Sequence, residues 1–341
     1  MPKKIFVWML LGIAFFTLCF EAKAYSQVID DQIIITKSRI KDKKIVITDN
    51  LGKEIDYKIK GICYAPDIDD NVLYETFIKD IPLIKSAGAN SIRTYRPLGC
   101  NNSQSAFDYQ NSDNILNACF NEKITAAVGF SYDDMKDNGL LEQYLMAFGA
   151  HPAILMIVLG NEYNYHYDEW FTKEEWFSRL SAAVKKAKQQ YAPNKIISVV
   201  HGGVPSKEEY DEYIAAGVDL IMMNLYVGDT FGFAKDDWDK ISGSMPWCVS
   251  EFGRSSLDGA GKDTSKFQAS MLQSLIRGLE HGGYLFSFVD DPSKGDAEFS
   301  PVIGREDSLG IYYKNRKPKI SVNVVKQEYD KIPGAVYING N

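Results

Sequence analysis

Short, almost continuously apolar runs alternate with helical stretches eight times along this chain of 341 residues. The runs are Tyr57–Tyr64, Ala89–Tyr95, Ile124–Phe130, Ile154–Leu159, Lys195–Val200, Val218–Leu225, Trp247–Ser250 and Tyr284–Val289. Strands that are apolar at nearly every position are buried on both faces, which parallel sheets covered by helices provide. The helical stretches supply that cover, at Leu73–Ala87, Asn114–Phe120, Leu140–Phe148, Lys173–Tyr191, Ser206–Ala216, 232–243, Phe267–Glu280 and Lys319–Tyr329. In Lys173–Tyr191 the apolar Trp176, Phe177, Leu180, Val184 and Ala187 recur at three- and four-residue spacing. Ser206 with Glu209 forms a capping-box pattern. Eight strand–helix units predict the α/β class and a closed (β/α)8 barrel, a TIM barrel, over 57–331. A doubly wound open sheet is the competing fold. No Gly-x-Gly-x-x-Gly follows the first strand and no phosphate loop occurs.

Three segments fall outside the barrel. Lys3 and Lys4, the apolar Ile5–Phe20 and Ala22-Lys23-Ala24 read as a secretory signal over 1–24, cleaved after Ala24. The mature chain is therefore expected to be exported, to the periplasm or beyond, with no stable membrane insertion. Residues 25–56 read as a strand extension. Ile33-Ile34-Ile35 and Ile45-Val46-Ile47 are expected to form a small hairpin, followed by a turn at Asp49-Asn50-Leu51-Gly52. Residues 332–341 read as a tail.

Lysine and arginine number 38 against 45 acids, a net charge of −7, which argues against a nucleic-acid surface. No motif suggests a nucleotide, and nothing specifies an oligomeric state. Export permits disulfides. Cys100 and Cys119 flank one polar stretch, Pro97–Asn121, and are expected to pair; Cys63 and Cys248 sit in strands and read as buried thiols. The histidines at 151, 166, 201 and 281 do not cluster, so neither a metal nor another cofactor is expected.

In such a barrel the chemistry sits where strands end. Tyr64, Arg93, Tyr95, Glu162, His201, Tyr226, Glu251 and Asp290 all fall at strand ends. Glu162 closes the fourth strand and Glu251 the seventh, on opposite sides of the mouth. Two opposed carboxylates are what glycosidic bond cleavage needs: one protonates the leaving oxygen, the other attacks the anomeric carbon or activates water. Arg93 is a natural partner for an ionised carboxylate, and Tyr226 could hydrogen-bond the same group.

Several segments go further. His151-Pro152-Ala153-Ile154 through Leu159-Gly160-Asn161-Glu162, with Ser250-Glu251-Phe252-Gly253, resemble the clan of retaining (β/α)8 glycoside hydrolases with glutamates on strands four and seven. Lys60-Gly61-Ile62 with Tyr64, and Gly88-Ala89-Asn90-Ser91-Ile92-Arg93-Thr94-Tyr95, are similar to the opening strands of its beta-glucanase, glucanosyltransferase and beta-galactosidase-like branches. Ser308-Leu309-Gly310-Ile311 and Arg316-Lys317-Pro318-Lys319 are similar to their closing segment. The resemblance spans roughly 57–325.

It implies that Glu162 is the general acid/base, Glu251 the nucleophile, and that Asn161 holds the substrate's 2-hydroxyl. The implied partner is a carbohydrate, with beta-glucan favoured. A glucanosyltransferase using the same residues is one alternative, and an inert carbohydrate-binding barrel is another. Tyr64 and Tyr95 are expected to shape the sugar floor. His201, followed by two glycines, could meet a ligand. The chain departs from the clan at strand eight, where many relatives carry a tryptophan platform. Here the stretch is Phe286-Ser287-Phe288-Val289-Asp290-Asp291. Phe288 is expected to substitute for that platform, or Asp290 and Asp291 to bind sugar hydroxyls.

Overall fold

The computed structural model describes residues 33–66, 72–100, 106–137, 139–295, 298–300 and 303–338. The expected signal segment, 1–24, lies outside them. Strands β4 (Ile59–Cys63), β5 (Ser91–Arg93), β6 (Thr125–Phe130), β7 (Ile154–Leu159), β8 (Ile196–Gly202), β9 (Leu220–Asn224), β10 (Val249–Phe252) and β11 (Gly282–Leu285) each pair in parallel with the next. β11 pairs back with β4, so the sheet closes into the barrel read from the sequence. Every residue of β6, β7 and β9 is buried, as strands with a filled interior on one face and helices on the other must be. Gly61 stands directly beside Tyr284 across the β4–β11 seam, and a Cβ there would strike the tyrosine ring at 2.2 Å. Only glycine lets that ring lie against the strand.

Helices α1 (Tyr74–Ser86), α2 (Tyr109–Asn121), α3 (Leu140–Phe148), α4 (Lys173–Lys186), α5 (Lys207–Ala216), α6 (Gly232–Ile241), α7 (Ser265–Arg277) and α8 (Ile320–Lys331) follow the eight barrel strands in turn. Sequence signals fix many of their ends. The Ser206–Glu209 capping box is formed at the start of α5, and Thr172 with Glu175 forms another at α4. Asp108 accepts from the Asn111 amide and so starts α2 earlier than its apolar pattern suggests. The long helix expected to reach Tyr191 is α-helical only to Lys186, and residues Ala187–Tyr191 widen into a single π turn. Pro193 lies just beyond, and the residue before a proline is disfavoured in helical conformation.

Two corrections concern the periphery. The N-terminal hairpin joins β1 (Lys37–Lys41) to β2 (Lys44–Thr48), not Ile33–Ile35 to Ile45–Ile47. Its turn is Asp42-Lys43, both with positive φ, 50° and 58°. That is the geometry matching the right-handed twist of a two-residue hairpin. The hairpin extends through β3 (Glu54–Tyr57) to β14 (Ala335–Tyr337), so the expected tail contributes a fourth, antiparallel strand. This sheet lies across the N-terminal end of the barrel. The buried Ser38 hydroxyl donates to Leu155 O (2.5 Å) and accepts from the Ile196 amide (3.1 Å), tying β1 to the starts of β7 and β8.

The eighth strand is the other difference. It was expected to run to Val289, yet its ladder ends at Leu285. A cis peptide bond joins Phe286 and Ser287. Beyond it the chain pairs with the closing segment, through Ile311 N to Ser287 O (3.0 Å) and Tyr312 N to Phe288 O (3.0 Å).

Candidate active site

The cleft at the C-terminal mouth holds about 190 Å³. Strand ends bring its polar residues together. Arg93, the last residue of β5, is buried and reaches across the barrel. Its Nη1 donates to Glu251 Oε1 (2.7 Å) and to Ser250 O (3.1 Å), and its Nη2 to Asn161 Oδ1 (2.6 Å). Tyr95 Oη also donates to Glu251 Oε1 (2.7 Å), and Tyr226 Oη donates to Oε2 (2.9 Å). Both oxygens of Glu251 are therefore engaged, in a residue only 5% exposed. A buried carboxylate needs such compensation, because desolvation otherwise exceeds what a single partner returns. Burial, with the Glu251 charge nearby, pushes the phenols of Tyr95 and Tyr226 well above their usual pKa of 10. They remain donors across the physiological range.

Glu162 has the opposite surroundings. It is half-buried, and no cation is bonded to it as Arg93 is to Glu251. Burial, then the charge of Glu251, raises its pKa from 4.5 to about 7, against smaller opposing effects of Asn224 and Arg93. Glu162 is accordingly a carboxylic acid around neutrality, facing a carboxylate saturated with donors. Local backbone geometry places it there. Gly160 (φ 76°) and Glu162 (φ 55°) both adopt the left-handed region. A Cβ on Gly160 would come within 2.6 Å of the Trp176 ring, so glycine is required. A non-glycine residue in that region carries strain of about 1–3 kcal/mol and is retained where the surroundings enforce it. Here the Glu162 amide is bound to Val200 O at 3.1 Å.

Asn161 sits between these two positions and lines the cleft. Its Oδ1 accepts from Arg93 and, at 3.2 Å, from Asn224 Nδ2. With the oxygen doubly engaged, the amide NH2 is the end left for a ligand. Asn224 is itself held by Ser250 Oγ at 2.7 Å.

Of the residues singled out in the sequence, Glu162, Glu251, Arg93, Asn161, Tyr95 and Tyr226 converge on the cleft. Four do not. Tyr64 is fully buried between barrel and helices, its hydroxyl donating to Asp80 (3.0 Å), which Arg316 clamps from the other side. His201 turns outward to Gly203 O (3.0 Å) and Glu209 (3.4 Å), supporting the start of α5. Phe288 packs on Tyr64 and Tyr312, while its amide still donates to Cys63 O at 3.1 Å. Asp290 is paired with the buried Lys319 at 2.6 Å and accepts from the Gly310 amide. These contacts secure the closing segment.

The expected Cys100–Cys119 disulfide is also corrected. Both are free, buried thiols, as are Cys63 and Cys248. Cys119 lies on the inner face of α2 and Cys100 bridges to Phe107. The buried Tyr144 ring, packed on Phe107 and Phe148, is within electrostatic reach of both sulfurs. Burial pushes the Cys100 thiol up to about 12.

Sequence reasoning missed several lining residues. Phe286, not Phe288, supplies the aromatic wall, edge-on to Tyr95 and Tyr226 at 6.3 and 6.5 Å. In a regular strand Phe286 and Phe288 would share one face, and only the end of the ladder at Leu285 separates them. Asn224 closes an apolar strand just as Asn161 does, a signal that could have been read. Lys294 and Glu306 line the outer part of the cleft, 3.5 Å apart, and nothing in their local pattern marks them; Asp291, singled out in the sequence beside Asp290, also lines the cleft. Among the described residues no three histidine, cysteine or acidic side chains are grouped to hold a metal, and no helix is long and apolar enough to cross a membrane.

No protein-family model matches the sequence, and no curated protein does. Solved structures do match. The chain is similar to a GH2 beta-galacturonidase from Eisenbergiella tayi bound to galacturonate, with TM-score 0.62, 18% identity, and coverage of 89% of this chain and 55% of that one. It is also similar to a Faecalibacterium prausnitzii beta-glucuronidase (TM-score 0.62, 18% identity, 87% and 52% covered). A Bacteroides uniformis beta-glucuronidase matches at TM-score 0.60 and 20% identity, with 86% and 37% covered. What they share is the barrel fold. The chain spans about half the length, or less, of these enzymes.

Proposed function

We propose that this protein cleaves beta-linked glycosides with retention, through a covalent glycosyl-enzyme. The observation that carries the reading is the asymmetry of the two carboxylates. Glu251, engaged by Arg93, Tyr95 and Tyr226, is the nucleophile; Glu162, with its pKa near 7, is the general acid. In the first step Glu162 gives its proton to the glycosidic oxygen while a Glu251 oxygen bonds to the anomeric carbon and the leaving group departs. Glu162, now a carboxylate, takes a proton from the incoming water. The water oxygen displaces Glu251, and each inversion cancels the other. The Asn161 NH2 binds the hydroxyl next to the anomeric carbon, where hydrogen bonds strengthen in the transition state. Direct attack requires the two carboxyl groups about 5–5.5 Å apart. Export, as expected from the signal-like segment 1–24, would fit a glycan substrate outside the cytoplasm.

The substrate is a neutral glycan, with beta-glucan favoured by the likeness of the opening strands. Cleft charge supports neutrality. Among the described lining residues, Asp291 and Glu306 face the one cation Lys294, which is beside Glu306, while Glu251 is already paired with Arg93. An anionic uronide meets repulsion unless that lysine is released. A uronide reading draws on Lys294 and on the substrates named for the matched structures. Aryl beta-glucoside, beta-galactoside and beta-glucuronide, assayed side by side with proton NMR of the first-formed sugar, test both points. The expected result is faster turnover of a neutral glycoside and a product anomer matching the substrate. The opposite anomer appearing first would reassign one glutamate as a general base.

A further inference from the structure

The segment after Glu162 carries an aromatic side chain that the chemistry above does not use. Tyr165 is three residues beyond Glu162 and 64% exposed. It is nonetheless held firmly. Its amide bonds to Glu162 O at 3.0 Å. The preceding Asn164 makes a paired contact with the backbone of Gly202, its Oδ1 accepting from the amide (2.8 Å) and its Nδ2 donating to the carbonyl (3.1 Å). Tyr163 is pinned in turn by the Tyr132 amide, which donates to its hydroxyl at 2.7 Å. The ring rests directly on Gly202, where any Cβ would fall 2.2 Å from Cε2, and its hydroxyl reaches over Gly203. The two glycines after His201, which the sequence offered as a place for close ligand approach, are instead the bed for this ring. Much of the ring surface is left to solvent. The hydroxyl also senses the Glu162 charge, which together with burial raises its pKa.

Leaving-group geometry gives the ring a use. The general acid must touch the glycosidic oxygen, so the departing unit lies on the Glu162 side of the cleft. A rigid, exposed aromatic surface anchored to the same turn offers that unit an apolar face, and aromatic rings present large contact area at small entropic loss. We propose that Tyr165 is the stacking platform for the leaving-group sugar, and hence for a sugar acceptor that competes with water. This rests on the glycosidase reading and deepens it by naming a disaccharide or longer glycan as substrate. In transfer, the acceptor hydroxyl oxygen bonds to the anomeric carbon. The bond from that carbon to Glu251 breaks, and the hydroxyl proton passes to the Glu162 carboxylate.

The test compares Tyr165→Ala and Tyr165→Phe with the parent on two substrates sharing one glycone. One is a glycosyl fluoride, whose leaving group reaches no platform; the other is the corresponding beta-linked disaccharide. Glucosyl, galactosyl, mannosyl and glucuronosyl fluorides first identify the glycone. Tyr165→Ala is expected to lower kcat/KM for the disaccharide by roughly tenfold or more and to suppress transfer products at high disaccharide. Turnover of the fluoride should change less than about twofold, within what a contact made only by the leaving group permits. Tyr165→Phe should behave as the parent on both. Equal losses on both substrates, or none on either, overturn the platform while leaving the glycosidase reading intact. Failure of the parent to turn over any fluoride or disaccharide removes the reading beneath and the platform with it.

Discussion

Strands four and seven end on the same residue type in opposite surroundings. Glu251 lies within β10, nearly inaccessible, with a guanidinium and two phenols on its oxygens. Glu162 lies three residues past β7 on a left-handed turn, half-buried, and nothing comparable neutralises it. A carboxylate is a weak acid or a nucleophile according to whether its charge is desolvated or compensated. Here one barrel mouth does both, and the negative charge compensated on strand seven is part of what keeps the proton on strand four.

The largest effect should come from strand seven. Glu251→Ala is expected to lower kcat by roughly 10⁴-fold or more, as loss of a nucleophile does. Azide should restore part of the rate by attacking in its place, with an inverted glycosyl azide as the product seen by NMR. Substantial unassisted turnover would break the assignment. Next is the cation that sustains Glu251. Arg93→Ala should reduce kcat by about 10²–10³-fold, with the far-ultraviolet dichroism of a folded barrel preserved. Removing one partner of a buried pair should also lower unfolding stability by about 3–5 kcal/mol, read by denaturant titration. Normal kcat in the folded variant would leave the arginine a purely structural role.

Strand four should respond differently. Glu162→Gln is expected to lose about 10²–10⁴-fold on glycosides with a poor leaving group, and far less on a dinitrophenyl glycoside, which departs without a proton. In the parent, kcat on the poor substrate should fall as pH rises through about 7, because the acid form disappears. The variant should lack that limb. The same carboxyl has a smaller effect on stability. Its folded pKa of about 7 exceeds the ordinary 4.5. The folded state thus holds a proton that the unfolded state has lost, and stability falls as pH rises from 4.5 to 7. The loss is on the order of 3 kcal/mol. Glu162→Gln should therefore unfold at a higher temperature than the parent at pH 8, with the gap closing near pH 4. A gap independent of pH would mean that Glu162 is not held protonated by its surroundings.

The barrel was legible because its code is local. Helix α3 and strand β7 coincide residue for residue with the sequence pattern, since glycine and proline bound both and nearly every strand position is apolar. Glu162, Glu251 and Arg93 could be placed at the mouth for the same reason: a charged residue closing an apolar strand has only the strand's end to occupy. The eighth strand was less legible. Phe286-Ser287-Phe288 reads as a continuation of the strand with both phenylalanines on one face, and the competing hydrogen bonds come from residues 309–312, some twenty positions away. Nothing nearby marked residues 335–337 as partners for Glu54–Tyr57. The two cysteines suggested a bond by sharing a polar stretch, yet the aromatic side chain within reach of both sulfurs, Tyr144, comes from a different helix, α3.

By itself the sequence determined the secondary-structure rhythm, the closed parallel sheet that follows from it, and the placement of the carboxylates and arginine at its mouth, with Asn161 added only by the family resemblance. These follow from periodicity and from the desolvation that keeps charge at strand ends. Only the tertiary structure decided that Tyr95 and Tyr226 serve Glu251 while Tyr64 and His201 turn away, that Phe286 takes the wall, and that Tyr165 lies on Gly202. Each depends on which side chain fills a space defined by several distant segments at once, and a close-packed interior allows one occupant for each such space.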